Sequence, residues 1–76
     1  MCENIIDELM RKVISAISAS SNGLTFDELR DALEREGVYI DATCLRKTVS
    51  QMLRENKIMK CFSEKKRNKF VFKISC

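Results

Sequence analysis

Apolar residues recur at steps of three and four positions through three separate stretches of this chain, a period typical of helices with one buried face. The first stretch predicts a helix over residues 5–19, with Asn4 as its cap. The run Ser-Ala-Ser-Ser-Asn-Gly at residues 18–23 predicts the turn that ends this helix. The expected buried stripe consists of Ile6, Leu9, Met10, Val13, Ile14 and Ile17.

A second helix is predicted over residues 26–36, because Thr25 and Glu28 have the spacing of a capping box. Gly37 supplies the left-handed residue that ends this helix. The link that follows, Val-Tyr-Ile at residues 38–40, is too apolar for a solvated loop. We therefore expect it to pack onto the core.

The third apolar stretch predicts a helix over residues 42–55, which Asp41 or Thr43 can cap. Asn56 stands at the position where a left-handed residue ends a helix. On a helical wheel one side of this segment is apolar, and the opposite side is polar and basic. The expected buried side consists of Ala42, Leu45, Val49, Met52 and Leu53.

Two short strands are predicted after the helices, over residues 57–62 and 69–74. The second strand alternates, with Phe70, Phe72 and Ile74 on one face. Most of the four phenylalanines are expected to be needed for the core. The connecting run Glu-Lys-Lys-Arg-Asn-Lys contains neither Gly nor Pro, so it predicts a loose, charged hairpin tip instead of a tight turn.

The length of 76 residues predicts one domain, over residues 1–76, with a small core. No uninterrupted apolar stretch exceeds three residues, so no segment is expected to span a bilayer. The first residues, Met-Cys-Glu-Asn, lack the features of a signal peptide. We expect an intracellular protein, in the cytoplasm and associated with the nucleoid, or nuclear in a eukaryote.

Basic and acidic residues are divided unequally between the two halves of the chain. Residues 1–40 carry four basic and eight acidic residues, a net charge of −4, whereas residues 41–76 carry ten basic and three acidic residues, a net charge of +7. The two values add to the overall +3. Because the basic half also contains the third helix and the hairpin, the pattern indicates a folded surface for a polyanion, with nucleic acid as the leading candidate.

The residues that usually support metal binding and catalysis are scarce. The chain has no histidine, and its four cysteines are separated by 42, 17 and 15 positions, so no Cys-x-x-Cys pair occurs. A zinc site is therefore improbable, and we expect neither a metal nor a cofactor. Without histidine or a glycine-rich loop, the usual general base and phosphate cradle are missing, so we expect no enzymatic activity.

Two interpretations of the cysteines remain open. They can be reduced thiols, with Cys61 a small residue of the core, or Cys2 or Cys76 can form an intermolecular disulfide. Cys44 lies toward the outward side of the third helix, where it is either a tolerated small residue or a contact that oxidation would disturb.

The order of elements resembles that of winged helix-turn-helix DNA-binding regulators. The resemblance is carried by Leu-Thr-Phe-Asp-Glu-Leu at residues 24–29 and by Met-Leu-Arg-Glu-Asn-Lys-Ile-Met-Lys at residues 52–60, with Leu45 and Val49 before it. The outline is similar to MarR- and ArsR-like repressors and to small winged-helix proteins of archaeal viruses and plasmids. It implies an α+β fold in which three helices precede a two-stranded antiparallel hairpin, the wing.

The resemblance also implies a division of roles between the helix and the hairpin. The third helix would enter the major groove as a recognition helix, and the wing would lie along the phosphate backbone or the adjacent minor groove. The implied DNA contacts are Thr43, Arg46, Lys47, Ser50, Gln51 and Arg54 from the helix, and Lys65, Lys66, Arg67 and Lys69 from the wing.

We therefore expect sequence-specific binding of double-stranded DNA and regulation of transcription, by a homodimer on a palindromic or pseudo-palindromic site. The acidic faces of the first two helices would be left for a protein partner or a second subunit. The alternative is a winged-helix module that binds protein within a larger complex. Binding of RNA or single strands is less favoured, because few aromatic residues are expected at the surface.

Overall fold

The computed structural model describes residues 5–67 and 69–76 of the chain. Three helices precede an antiparallel hairpin, so the predicted α+β arrangement is confirmed. A single 3₁₀ turn, Glu64–Lys66, lies between the strands. The elements are α1 (Ile6–Ser18), α2 (Phe26–Arg35), α3 (Ala42–Arg54), β1 (Met59–Ser63) and β2 (Lys69–Lys73).

The caps of α1 and α3 differ from those expected. Ile5 occupies the cap position of α1 and provides no side-chain hydrogen bond, while the proposed cap Asn4 lies outside the described residues. Asp41 occupies the cap position of α3, but its carboxylate accepts no capping hydrogen bond. Thr43, the rival cap, lies inside the helix.

Both hydrogen bonds of the predicted capping box are present at the start of α2. The backbone N–H of Glu28 donates to Thr25 Oγ1 at 3.2 Å, and the backbone N–H of Thr25 donates to Glu28 Oε1 at 3.0 Å. These bonds satisfy two of the amide groups that a helix start leaves without a helical partner.

The core forms where the apolar stripes of the three helices meet, and Ile58 joins it from the segment before β1. Thr48 is also fully buried, although the pattern did not predict it. Its hydroxyl donates to the backbone carbonyl of Cys44 at 3.0 Å, which satisfies the polar group inside the core. The buried apolar members are Leu9, Met10, Val13, Ile17, Leu29, Leu33, Leu45, Val49, Met52 and Ile58.

The link over residues 38–40 packs onto the core only in part. Val38 and Ile40 contact the core, but Tyr39 is 75% exposed, so the expectation was wrong for the tyrosine.

The hairpin begins two residues later than predicted. Asn56 adopts the expected left-handed conformation with φ of 59°, and the backbone N–H of Lys57 donates to the carbonyl of Met52 at 2.9 Å. Lys57 therefore still belongs to the turn that ends α3. The strands pair from Met59 opposite Lys73 to Ser63 opposite Lys69.

Leu24 extends the sheet on the other side of β2. It pairs with Phe72 through two backbone hydrogen bonds of 3.2 Å and 2.8 Å. The preceding Gly23 has φ of 78°, and a Cβ atom there would lie 2.8 Å from Val71 Cγ2. Glycine thus allows the turn after α1 to pack closely against β2.

The expectation that most phenylalanines enter the core was wrong for two of the four. Phe62 and Phe70 are 57% and 54% exposed, whereas Phe26 and Phe72 pack against the core. On the opposite face of β2, Val71 is buried instead.

Cys61 and Cys76 form an intramolecular disulfide with a Cα–Cα distance of 5.8 Å. This bond contradicts both the prediction of reduced thiols and that of an intermolecular bond through Cys76. Cys44 is not a free thiol either, and Cys2 lies outside the described residues.

Candidate nucleic-acid interface

An open groove runs along the exposed side of α3. Its volume is about 470 Å³, and apart from Ile6 at the start of α1, the residues described as lining it come from α3. The α3 residues follow one another at alternating steps of three and one positions, so successive turns of the helix bring them to one side. They are the six predicted contacts of that helix: Thr43, Arg46, Lys47, Ser50, Gln51 and Arg54.

Arg46 lies at the edge of this groove, next to the first residue of α2. Its guanidinium carbon is 5.3 Å from the centre of the Phe26 ring, a cation–π contact. Arg46 as a whole remains exposed despite this contact. Phe26 therefore orients a cation at the rim of the groove while it packs against the core.

Gln51 is half-buried and is oriented by a carboxylate one helical turn further on. Its Nε2 donates to Glu55 Oε2 at 3.0 Å, and Lys57 Nζ lies 3.4 Å from Glu55 Oε1. These hydrogen bonds, from Gln51 first and then from Lys57, lower the pKa of Glu55. A glutamine amide also has a second N–H and a carbonyl oxygen, so the bond to Glu55 orients the group and leaves it able to form others.

The tip of the hairpin lies beside the start of α2. A depression of about 310 Å³ there is lined by Thr25, Asp27, Glu28, Lys65, Lys66, Arg67 and Lys69. All four predicted contacts of the hairpin are thus found together. Arg67 adopts a left-handed conformation with φ of 58° and turns the chain toward β2.

The four cations of the tip are not equivalent. Lys66 Nζ lies 3.0 Å from Glu28 Oε2, and the lysine is half-buried, whereas Lys65, Arg67 and Lys69 are exposed. The pKa of Glu28 is lowered by the backbone hydrogen bond from Thr25 and then by the bond from Lys66. The carboxylate that completes the capping box therefore also neutralises one cation of the tip.

Acidic side chains occupy the solvent-facing sides of α1 and α2. Asp7, Glu8, Asp27 and Asp31 are exposed, and Arg30 and Glu34 form an ion pair of 3.9 Å on α2. The start of α2 shares a surface with the hairpin tip, because Asp27 and Glu28 line the same depression as the tip cations. The described residues that line the α3 groove, by contrast, include cations and no carboxylate.

The described ranges contain no cluster of three or more metal-binding side chains, and none of their helices is long and apolar enough to cross a membrane. The arrangement offers cations, an amide and hydroxyl groups along one groove, which suits hydrogen bonding to an anionic ligand. No known protein family, characterised protein or solved structure matches this chain.

Proposed function

We propose that this chain is a winged helix-turn-helix protein that binds double-stranded DNA in a sequence-specific manner and regulates transcription. The observation that supports this proposal best is the groove along α3, where three cations and three hydrogen-bonding side chains lie together. The described lining of this groove carries cations and no carboxylate, which favours an anionic ligand over ordinary solvation of a helix face of mixed charge.

In the proposed complex α3 enters the major groove. Arg54 and Lys47 reach guanine or phosphate, and Gln51 pairs with adenine in the orientation that Glu55 favours. Thr43 and Ser50 are short enough to let the helix backbone approach the bases. The hairpin acts as the wing, and its exposed cations contact the phosphate backbone.

The central test is the salt dependence of duplex binding, measured by fluorescence anisotropy. With about five to seven phosphate contacts, log affinity against log salt should have a slope of about −5 to −6. The variant Lys65→Ala should reduce the magnitude of this slope by about one, because Lys65 is exposed. Lys66→Ala should reduce it by less, because Glu28 already neutralises Lys66.

Binding that does not respond to salt, or no binding at all, would contradict the proposal. Equal slopes for the two lysine variants would instead mean that Lys66 leaves Glu28 for a phosphate, and the proposal would stand.

Arg54→Ala should weaken binding to the preferred duplex by about 1–3 kcal/mol and relax the choice of base at one position, if Arg54 contacts a base edge. The preferred duplex is obtained by selection from a random pool, and the affinities are then measured for each base at that position. Arg35→Ala is the matched control, because Arg35 is an exposed arginine on α2. A loss of similar size in both variants would show a general charge effect instead of a base contact.

A second candidate function, binding of a protein partner, is favoured by an apolar groove between α1 and the link to α3. The groove is about 220 Å³ in volume, and Ile5, Val38, Tyr39 and Ile40 supply most of its apolar lining. It is also the place where we propose that a second subunit or a partner contacts the domain. Absence of salt-sensitive duplex binding would favour this function over the first.

As a regulator of transcription, the protein would act in the cytoplasm at the nucleoid, or in a nucleus.

A further inference from the structure

The hairpin carries two exposed aromatic rings that belong neither to the core nor to the lining of the α3 groove. Phe62 and Phe70 are directly opposite each other in the strand register and are 57% and 54% exposed. Their ring centres are 5.6 Å apart and the ring planes meet at 78°, an edge-to-face pair. Adjacent large apolar side chains left in solvent are typical of an interaction site.

A basic side chain lies against this pair, and the hairpin as a whole is basic. Lys60 Nζ lies 4.9 Å from the centre of the Phe70 ring. Residues 59–73 include six basic residues and one acidic residue, a net charge of +5. Two copies of this basic hairpin brought together would place like charges near each other, which opposes self-association. The surface instead fits an anion that also presents flat apolar groups.

The position of the rings on the hairpin is fixed by the core. Phe72 lies on the same face of β2, two residues further from the tip, and packs against the core. Phe72 also pairs with Leu24 through backbone hydrogen bonds. The strand backbone that carries the two exposed rings is therefore held in place before any ligand binds, which lowers the entropy lost on binding.

We infer that Phe62 and Phe70 contact unstacked bases of the DNA that α3 holds, an inference that rests on the proposed function. Nucleic acid is an anion whose bases have flat apolar faces, so phosphates can contact the hairpin cations while a base stacks on a ring. Apolar side chains also insert between base steps of a duplex and open them. The protein should therefore favour DNA in which bases are already unstacked.

The test compares two DNAs of the same sequence, one fully paired and one with a short internal bubble, by fluorescence anisotropy. Wild-type protein should bind the bubble DNA at least about 5-fold more tightly, as expected for one stacked base. The double variant Phe62→Leu with Phe70→Leu should bind the two DNAs equally, because leucine retains apolar bulk and lacks the ring face. Met59→Ala, which removes an exposed apolar side chain without a ring from the same hairpin, should keep the preference.

A second measurement does not depend on the folding of the double variant. A 2-aminopurine base in the bubble should change its fluorescence when wild-type protein binds, because its stacking changes. Equal wild-type affinity for the two DNAs, or an unchanged 2-aminopurine signal, would overturn the inference. Salt-sensitive binding of the paired duplex would then still support the proposed function, and its absence would overturn the function as well.

Two further outcomes would assign the rings to another ligand and would also overturn the inference. In the first outcome, wild-type protein binds vesicles of phosphatidylserine and phosphatidylcholine and shows no preference for bubble DNA, and the double variant no longer binds the vesicles. In the second outcome, wild-type protein self-associates in sedimentation experiments and the double variant does not.

Discussion

Loss of the disulfide between Cys61 and Cys76 is expected to lower the free energy of unfolding by about 3 kcal/mol, the value for a closed loop of about 15 residues. The two cysteines are 15 positions apart, and both the hairpin tip and β2 lie between them. The bond therefore restricts the unfolded chain across the whole of the hairpin tip and β2. Because small domains are stable by only about 5–15 kcal/mol, this is a large share of the total.

The variant Cys76→Ser tests this prediction better than a reductant does. Reduction would also affect Cys44, which is not free, whereas the variant removes one bond only. Cys76 is exposed, and the remaining thiol of Cys61 is a small residue that tolerates burial. Unfolding in urea is measured for this variant and for Ser75→Ala, the adjacent control that keeps the bond. Equal stability of Cys76→Ser and the control would contradict the prediction.

The helices could be predicted from the sequence because the signals that form them are local. The apolar period placed α1, α2 and α3 to within one residue at each end. The capping box was predicted from two residues three positions apart, and both of its hydrogen bonds are present. The six groove residues of α3 also come together as expected, since helical geometry alone sets their relative positions.

The features that the sequence did not predict depend on contacts between distant parts of the chain. The ion pair of Glu28 and Lys66 joins residues 38 positions apart, and no local pattern links them. The disulfide likewise needs the C-terminal segment to return to β1, which cysteine spacing does not reveal.

The exposure of the Phe62 and Phe70 rings also could not be predicted from the local sequence pattern. Alternation along a strand tells which residues share a face, but not which part of that face another element covers. Phe72 meets the core, and Phe70, on the same face, does not. Alternation therefore predicts core positions for all aromatic residues on one face of a strand, and the low expectation of base stacking follows from that prediction.

Leu45→Ala is expected to lower the free energy of unfolding by about 2–5 kcal/mol, the usual cost of removing a large buried side chain. Leu45 is fully buried in the cluster that joins α3 to the other helices. The loss is close to the whole stability of a marginal domain of this size, so part of the variant should be unfolded at room temperature. Circular dichroism during thermal and urea unfolding measures the loss.

Lys47→Ala, two residues further along the same helix, is the matched comparison for Leu45→Ala. Lys47 is exposed and lines the α3 groove, so its removal should change stability by no more than about 0.5 kcal/mol and should weaken DNA binding directly. The proposed DNA binding should fall in Leu45→Ala only in proportion to its unfolded fraction, because a ligand of the α3 groove would bind the folded state. If Leu45→Ala were as stable as wild type, α3 would not be packed as described. The polar side of α3 would then not be held in a fixed orientation for contact with a DNA groove.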